Sequence, residues 1–347
     1  MEKQSSIFLS PVQFQIIESV DSVILKRGST TFKIYGKRSA EVVQTLLDYL
    51  HHTSATKVEL LQLFAKPDQP AIEFLIDELS KRRFLTETQN KDKTKDKETG
   101  LDVFYWHFGE NTKFTKSVLD KKITIIGVNS ISRHLAYSLN RSGMKKINIV
   151  DYPPFRDINN LNSKEWPMLD NPPIDVKEWE DNFKPNDVDC LVATSEFGAF
   201  HFMRKWNKFC VTNNCKFLPV LFDNLIGYVG PLVIPQETAC FECFLNRRKS
   251  SIGEFEIHPD ENSELNEIQF CHPIIASILG DIAAMELIKF YIGWKAIFNV
   301  GKVIEVNMLA TKIETHNVLK IPRCSVCSRL NKIATTSFKK PPPRELE

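Results

Sequence analysis

The sequence predicts an α/β protein with a small N-terminal winged helix-turn-helix domain and a larger domain built around a doubly wound parallel sheet. Three observations support this division of the 347 residues. A β-hairpin pattern and three amphipathic helix patterns come first, a highly charged segment follows, and strand patterns then alternate with helix patterns. Such alternation is typical of a mostly parallel sheet with helices on both faces.

The N-terminal part contains one hairpin signal and three helix signals. Residues 22–26 and 31–35 are rich in strand-forming side chains, and Arg27-Gly28-Ser29-Thr30 joins them as a turn. Three groups of apolar residues at helical spacing follow, and the third group begins at Pro70 and continues to Phe84. We therefore predict a winged helix-turn-helix domain over residues 1–88.

Two segments lack the apolar residues that a folded domain needs. Residues 90–99 read Asn-Lys-Asp-Lys-Thr-Lys-Asp-Lys-Glu-Thr, and we predict a linker with a connecting segment over residues 89–114. The C-terminal residues 335–347 include Lys-Lys-Pro-Pro-Pro-Arg, which cannot form regular structure, and are predicted to be a flexible tail.

The larger domain is predicted from its alternating elements. Helical spacing predicts helices over residues 131–141 and 200–210. Apolar, β-rich runs predict strands near residues 122–128, 146–151, 190–194, 217–222, 303–306 and 312–316. The order of the first four strands and the helices between them predicts the doubly wound sheet of a dinucleotide-binding type of fold.

Composition and charge argue against nucleic acid and membranes as partners. The 45 basic and 43 acidic residues nearly cancel, so nothing predicts strong attraction to nucleic acid or to a membrane surface. Residues 1–11 lack a basic start followed by an apolar core, and we predict a cytoplasmic protein. The apolar stretch 273–294 carries Asp281, Glu286 and Lys289, which would be costly in lipid, so it predicts a buried helix.

Two Cys-x-x-Cys pairs carry the strongest chemical signal in the chain. They are Cys240-Phe-Glu-Cys243 and Cys324-Ser-Val-Cys327, and 80 residues separate them. Four thiolates at this spacing suit structural zinc, which fills its tetrahedron and leaves no position open for catalysis. A redox dithiol is the alternative, but two matched pairs without a thioredoxin-like strand and helix disfavour it. We predict that zinc joins two distant segments of a larger fold.

The order of motifs resembles that of a known family. A strand, a turn, a helix and a strand ending at Asp151 precede Gly230-Pro-Leu-Val-Ile-Pro-x-x-x-x-Cys-x-x-Cys and the last Cys-x-x-Cys. Together they resemble the ThiF-like, ubiquitin-activating-enzyme-like adenylating proteins, with the domain placed at residues 115–334. Within that family the sequence is most similar to the partner proteins of YcaO cyclodehydratases, which install thiazole and oxazole rings in ribosomally made peptides. Residues 21–44 resemble the winged helix that recognises the precursor peptide.

The resemblance implies a nucleotide site that this sequence preserves only in part. The glycine-rich turn of active members is here Gly127-Val-Asn-Ser-Ile-Ser, which keeps one glycine. The ribose-binding acid corresponds to Asp151, and a phosphate-binding pattern corresponds to Asn160-Leu-Asn-Ser163, where Ser163 replaces an arginine. Glu196 stands where the resemblance implies a magnesium-binding aspartate. We therefore predict a degenerate site, no catalytic residue, and a chain that does not use ATP.

The resemblance also implies a peptide-binding groove in the N-terminal domain. An extended leader would add to the free edge of the strand over residues 31–35, beside the outer face of the third helix. Lys33, Lys81 and Phe74 favour a leader that mixes acidic and apolar side chains. The predicted contact residues are Thr31, Phe32, Lys33, Ile34, Tyr35, Phe74, Asp77, Glu78 and Lys81.

These inferences predict a scaffold that binds the leader of a precursor peptide and presents it to a YcaO cyclodehydratase for azoline and azole formation. Such systems make thiazole/oxazole-modified microcins and other bacteriocins. The resemblance further implies a homodimer, with neither nucleic acid nor membrane as partner. Two alternatives stay open: an active ATP-dependent enzyme that adenylates a peptide, and a DNA-binding regulator. The second is disfavoured because the third predicted helix carries its basic residues only at its far end.

Overall fold

The structure, a computed structural model, describes residues 7–88, 100–107, 118–157, 172–223, 225–252, 271–292 and 300–328. The chain divides into two compact units, Met1–Lys113 and Phe114–Glu347. Most of the predicted linker and the whole predicted tail lie outside the described residues.

The first unit contains the predicted hairpin and three helices, together with elements that the sequence patterns did not predict. The added elements are a strand on either side of the predicted part, a third strand beside the hairpin, and a fourth helix. In chain order the elements are β1 (Phe8–Pro11), β2 (Gln15–Ser19), β3 (Ser22–Arg27), β4 (Thr30–Tyr35), α1 (Ser39–His52), α2 (Lys57–Leu61), α3 (Gln69–Lys81), β5 (Leu85–Thr88) and α4 (Gly100–His107).

The strands of this unit form two sheets. One is the antiparallel sheet β2-β3-β4, and the other is the pair β1-β5. The apolar faces of α1 and α3 pack with β3 into one core, and the predicted buried stripe of α3, Ile72, Leu75, Ile76 and Leu79, is confirmed. Helix α3 ends at Lys81, three residues before the predicted end, because Arg83 adopts a left-handed φ of 64°.

Helix α4 packs on this unit through Trp106. The indole N–H donates to the carbonyl of Arg83 at 2.8 Å, and the Arg83 guanidinium donates to the carbonyl of Trp106 at 2.7 Å. The Arg27 guanidinium lies 4.8 Å from the centre of the same ring, which also packs on the buried Phe84. The first unit therefore includes a helix that lies beyond residue 88.

The second unit is organised around one eight-stranded sheet in the order β13-β12-β11-β10-β9-β6-β7-β8. Its elements are β6 (Ile123–Ile126), α5 (Ser130–Arg141), β7 (Ile147–Asp151), β8 (Ile174–Asp175), α6 (Val176–Asn182), β9 (Cys190–Ser195), α7 (Phe200–Thr212), β10 (Lys216–Asp223), β11 (Ile226–Val229), α8 (Phe241–Ile252), α9 (Pro273–Ile292), β12 (Lys302–Asn307) and β13 (Lys312–Asn317). All six predicted strands are present.

The sheet is mixed, whereas the sequence predicts a mostly parallel one. Strands β10, β9, β6, β7 and β8 are parallel, and β11, β12 and β13 add antiparallel to one side. Every residue of β6 and β9 is buried, as expected for strands covered on both faces. The strand order reverses between β6 and β9, and ligands of open α/β sheets bind outside the carboxyl ends of the strands at such a point.

Helix α9 corresponds to the predicted buried helix, but only one of its faces is buried, because Ile274, Asp281 and Met285 are exposed. It crosses α5 at short range. A Cβ atom added to Gly280 would lie 2.7 Å from the amide nitrogen of Leu135, so glycine is needed at this crossing. Among the helices that the structure describes, none has both the length and the apolar character required to cross a membrane.

Candidate functional site

The four predicted metal ligands lie together in the second unit. The Sγ atoms of Cys240 and Cys324 are 3.6 Å apart, those of Cys243 and Cys327 are 3.5 Å apart, and those of Cys240 and Cys243 are 3.9 Å apart. A tetrahedron of thiolates around zinc, with metal–sulfur bonds of about 2.3 Å, has edges of about 3.8 Å. These distances exclude disulfides, whose sulfurs are about 2.05 Å apart. The four cysteines could therefore hold a metal ion.

Two tight turns position the thiols. At the start of α8, the amides of Cys243 and Phe244 donate to the carbonyl of Cys240. After β13, the amide of Cys324 donates to the carbonyl of Ile321, and the Ile321 amide donates to the Cys243 sulfur at 3.4 Å. Hydrogen bonds from the Cys240 and Cys327 thiols, together with that amide, lower the pKa of Cys243. All four cysteines are buried, which leaves little room for a substrate at the cluster.

The turn between β6 and α5 is the place where the resemblance implies a glycine-rich phosphate loop. Gly127 is required here because its φ is +115° and an added Cβ would lie 2.9 Å from the carbonyl oxygen of Thr194. Asn129 caps α5 by accepting from the Ser132 amide at 2.9 Å, and its Nδ2 donates to the carbonyls of Phe155 and Thr194. Side-chain hydrogen bonds thus fill a turn that glycines would leave open.

Glu196 projects from the end of β9 to the N-terminus of α5. Its Oε1 accepts from the Ser130 amide at 2.8 Å, and the residue is 5% exposed. Burial raises the pKa of Glu196, and the hydrogen bonds with Ser130 partly oppose that shift. Because a helix N-terminus attracts anions, it is the usual position of a nucleotide phosphate in this type of fold. The chain's own carboxylate occupies that position.

Asp151, at the end of β7, is also paired internally. The Arg156 Nε donates to its Oδ1 at 2.9 Å and NH2 donates to its Oδ2, a two-bond pairing that raises the pKa of Arg156. The structure therefore brings Gly127 and Glu196 to one turn and places Asp151 on the neighbouring strand. Asn160 lies outside the described residues. No sequence pattern indicated the pairing of Arg156 with Asp151, but Asn129 followed three residues later by Ser132 has the spacing of a capping box.

Strand β4 lies at one edge of its sheet, and its hydrogen bonds show which of its residues pair with β3. The amide of Gly36 donates to the carbonyl of Asp21 at 2.9 Å, and hydrogen-bonded pairs alternate along antiparallel strands. Phe32 and Ile34 therefore exchange hydrogen bonds with β3. The residues whose main-chain groups point away from β3 are Thr31, Lys33 and Tyr35.

The predicted alternation of side chains along β4 is present. Phe32 and Ile34 are half-buried and pack on the core of the unit, whereas Thr31, Lys33 and Tyr35 are exposed. The Lys33 Nζ lies 4.7 Å from the centre of the Tyr35 ring.

The predicted residues of α3 lie on two flanks of that helix. Phe74, 69% exposed, and the exposed Lys81 lie on its outer face. Asp77 accepts from Lys57 of α2 at 2.7 Å and so lies on the α2 side. Glu78 accepts from the Arg82 Nε at 3.1 Å, and the Arg82 guanidinium lies 4.6 Å from the Phe32 ring centre. Arg82 was not among the predicted residues, although its spacing of four from Glu78 is that of a helical ion pair.

Comparisons with known proteins give structural matches only. No family model matches the chain, and no curated protein matches it. Solved structures match at low identity: E. coli MccB has a TM-score of 0.64 and 16% identity over 93% of this chain and 97% of MccB. The heterocyclase TruD has a TM-score of 0.59 and 16% identity over 98% of this chain and 45% of TruD. A heterocyclase in complex with substrate and cofactor gives similar values, with a TM-score of 0.60 and 42% of that chain covered.

These matches establish the fold. The chain has the ThiF-like fold together with the preceding smaller unit, because the matches extend over nearly its whole length. Among the particular proteins that share this arrangement are the microcin C7 biosynthetic enzyme MccB and the heterocyclase TruD, so the predicted resemblance is confirmed for the fold. The chain spans less than half the length of TruD.

We expect one zinc ion per chain, held by the four clustered cysteines. Replacing Cys240 and Cys324 by Ser should release the metal and cause unfolding or aggregation, because binding and folding are coupled in such sites. Metal analysis of the purified protein by mass spectrometry provides the measurement. Cys271→Ala is the matched control, since Cys271 is buried outside the cluster. Full retention of zinc by the double variant would show that other residues bind it.

Replacing Glu196 should separate its role as an acceptor from the cost of its buried charge. Glu196→Ala removes the acceptor of the Ser130 amide and should cost about 1–3 kcal/mol, whereas Glu196→Gln keeps an acceptor and should be nearly neutral. The raised pKa of Glu196 means that the folded state holds this proton more tightly than the unfolded state. Wild-type stability should therefore fall, relative to Glu196→Gln, as the pH rises above about 4.3. Urea unfolding of both proteins at acidic and neutral pH measures this, and parallel pH profiles would contradict it.

Proposed function

We propose that this chain binds the leader of a ribosomally made precursor peptide and presents it to a separate YcaO cyclodehydratase. The observation that carries the proposal is the open edge of β4, which lies beside the C-terminal end of α3. The likeness to MccB and to TruD over both units supports it at the level of the fold. In this proposal the first unit is a winged helix-turn-helix of the peptide-recognition type, which includes α4.

The docking mode follows from the direction of the free main-chain groups. An unpaired edge strand is a template for another extended segment. A leader added beside β4 would form hydrogen bonds with the main chain of Thr31, Lys33 and Tyr35, while Phe32 and Ile34 keep their bonds to β3. Such pairing supplies affinity, and pockets for alternate side chains supply specificity. Phe74, Glu78 and Lys81 would line the helical wall, whereas Asp77 is turned toward Lys57 and would contribute little.

The second unit is proposed to be catalytically silent. Glu196 and Asn129 fill the turn where a nucleotide would bind, and Asp151 is paired with Arg156. The ATP-dependent step would then belong to the partner. TruD is a heterocyclase more than twice as long as the part that this chain matches. Zinc, held by the four cysteines, would be structural. The predicted homodimer and cytoplasmic location remain predictions.

One observation favours the alternative of an active adenylating enzyme. One crystal structure of MccB contains AMPCPP and MccA, and it matches this chain with a TM-score of 0.65. The shared fold therefore accommodates a nucleotide analogue in that protein. We nevertheless prefer a catalytically silent second unit, because Glu196, Asn129 and Asp151 of this chain are paired internally.

Leader binding should depend on the main chain of β4. In the full chain, Lys33→Pro removes an outward N–H donor and should weaken binding about tenfold or more, whereas Lys33→Ala keeps that donor and should have a smaller effect. Phe74→Ala should cost about 1–2 kcal/mol if the ring is an anchor. Asp77→Ala is the control on the opposite flank and should bind normally. Titration of a labelled leader from a precursor encoded beside this chain measures each affinity; wild-type binding by Lys33→Pro would refute β4 docking.

The purified chain should neither exchange pyrophosphate into ATP nor hydrolyse ATP, with or without the precursor peptide. The reason is that the anion position at α5 already holds a carboxylate. Radiolabelled pyrophosphate exchange is the measurement, with the wild type compared with the Asp151→Ala and Glu196→Ala variants. Precursor-dependent exchange by the wild type that either variant abolishes would establish the adenylating enzyme instead.

A further inference from the structure

Arg82 places a cation over the apolar floor of the proposed groove. It follows the last residue of α3, and its guanidinium lies 4.6 Å from the centre of the Phe32 ring on β4. That ring also stacks on Phe84, which is fully buried, so it extends from the core to the surface. The Arg82 side chain is 45% exposed, and an incoming peptide can reach it.

An added strand would bring alternate side chains to this cation. Side chains of neighbouring strands on one face of a sheet lie about 5 Å apart at Cβ, so the leader residue beside Phe32 would lie under α3. The residues before and after it would lie beside Thr31 and Lys33, with their side chains on the opposite face. One leader position therefore meets both an aromatic ring and a guanidinium.

The chemistry of Arg82 favours a carboxylate at that position. A guanidinium has five N–H donors, and the contact with Glu78 uses Nε, so the group can bind a second carboxylate. The α3 side of the groove also carries a net positive charge, because it presents the two cations Lys81 and Arg82 and one proposed lining acid, Glu78. The contact with Arg82 lowers the pKa of Glu78, which keeps that acid ionised and Arg82 in place.

We propose that Arg82 is a specificity-determining residue that selects leaders with an acidic side chain at the position beside Phe32. This inference rests on the proposed docking of the leader on β4. The ligand is thus an extended peptide with an acidic residue beside Phe32. The residues on either side of that acid have their side chains on the other face of β4, where Lys33 and Tyr35 lie.

The test uses a displayed library of random twelve-residue peptides selected on the full-length protein. Wild type, Arg82→Gln and Lys57→Gln are compared; Lys57 is a cation of the same unit that pairs with Asp77 on the α2 flank, away from the proposed groove. Peptides enriched on the wild type should share one acidic position, and Arg82→Gln should lose that preference while Lys57→Gln keeps it. For one enriched peptide, changing its acid to the amide should weaken wild-type binding about fivefold to tenfold and leave Arg82→Gln unchanged.

Two outcomes would overturn the inference. One is an enriched set without a shared acid; the other is an acid-to-amide change that weakens binding to the wild type and to Arg82→Gln equally. The Lys33→Pro variant separates this result from a failure of the docking proposal. If Lys33→Pro abolishes binding but Arg82→Gln does not alter the preference, only the role of Arg82 is wrong. If enriched peptides bind Lys33→Pro as they bind the wild type, or if no peptide is enriched, both proposals are wrong.

Discussion

The convergence of four thiols is the constraint on which the second unit depends. Two short turns, one opening α8 and one following β13, must meet for the sulfurs to lie 3.5–3.9 Å apart. Four buried sulfurs at this separation would repel one another as thiolates, so a bound dication is the simplest source of compensation. The cluster thereby connects the segment after the outermost antiparallel strand to α8, which packs against α7 through Phe241 and Phe200. Asn207 on α7 extends this connection by accepting from the Phe241 amide.

The carboxyl edge of the parallel strands has the outline of a ligand crevice, but the chain's own side chains occupy it. The strand order reverses at this edge, and the turn at Gly127 leads into a helix, as in open α/β folds that bind ligands there. The polar groups described at this edge are nevertheless paired internally: a carboxylate lies at the helix N-terminus, an amide spans the turn, and an arginine pairs with Asp151. A crevice whose polar groups are already paired gains little by binding an anion, because it must first break those bonds.

Sequence patterns predicted the elements with strong periodicity and missed those without it. The stripe of α3 and the buried strands β6 and β9 follow directly from the spacing of their apolar residues. Strand β2 was missed because all five of its residues are exposed, so no alternation marks it. The four clustered cysteines were found because their spacing is itself the signal. The role proposed for Arg82 depends on a contact between the end of α3 and β4, which no local pattern encodes.

Helix α4 changes the meaning of the charged segment that precedes it. Strand β5 ends at Thr88 and α4 begins at Gly100, and both belong to the first unit. The charged residues between them in the sequence therefore join two elements of one unit and do not connect the two units. The Trp106 contacts fix α4 to the rest of its unit. Because the entropy of closing a flexible connection grows slowly, by about 0.6 kcal/mol for each doubling of length, the number of residues between β5 and α4 can vary at little cost in stability.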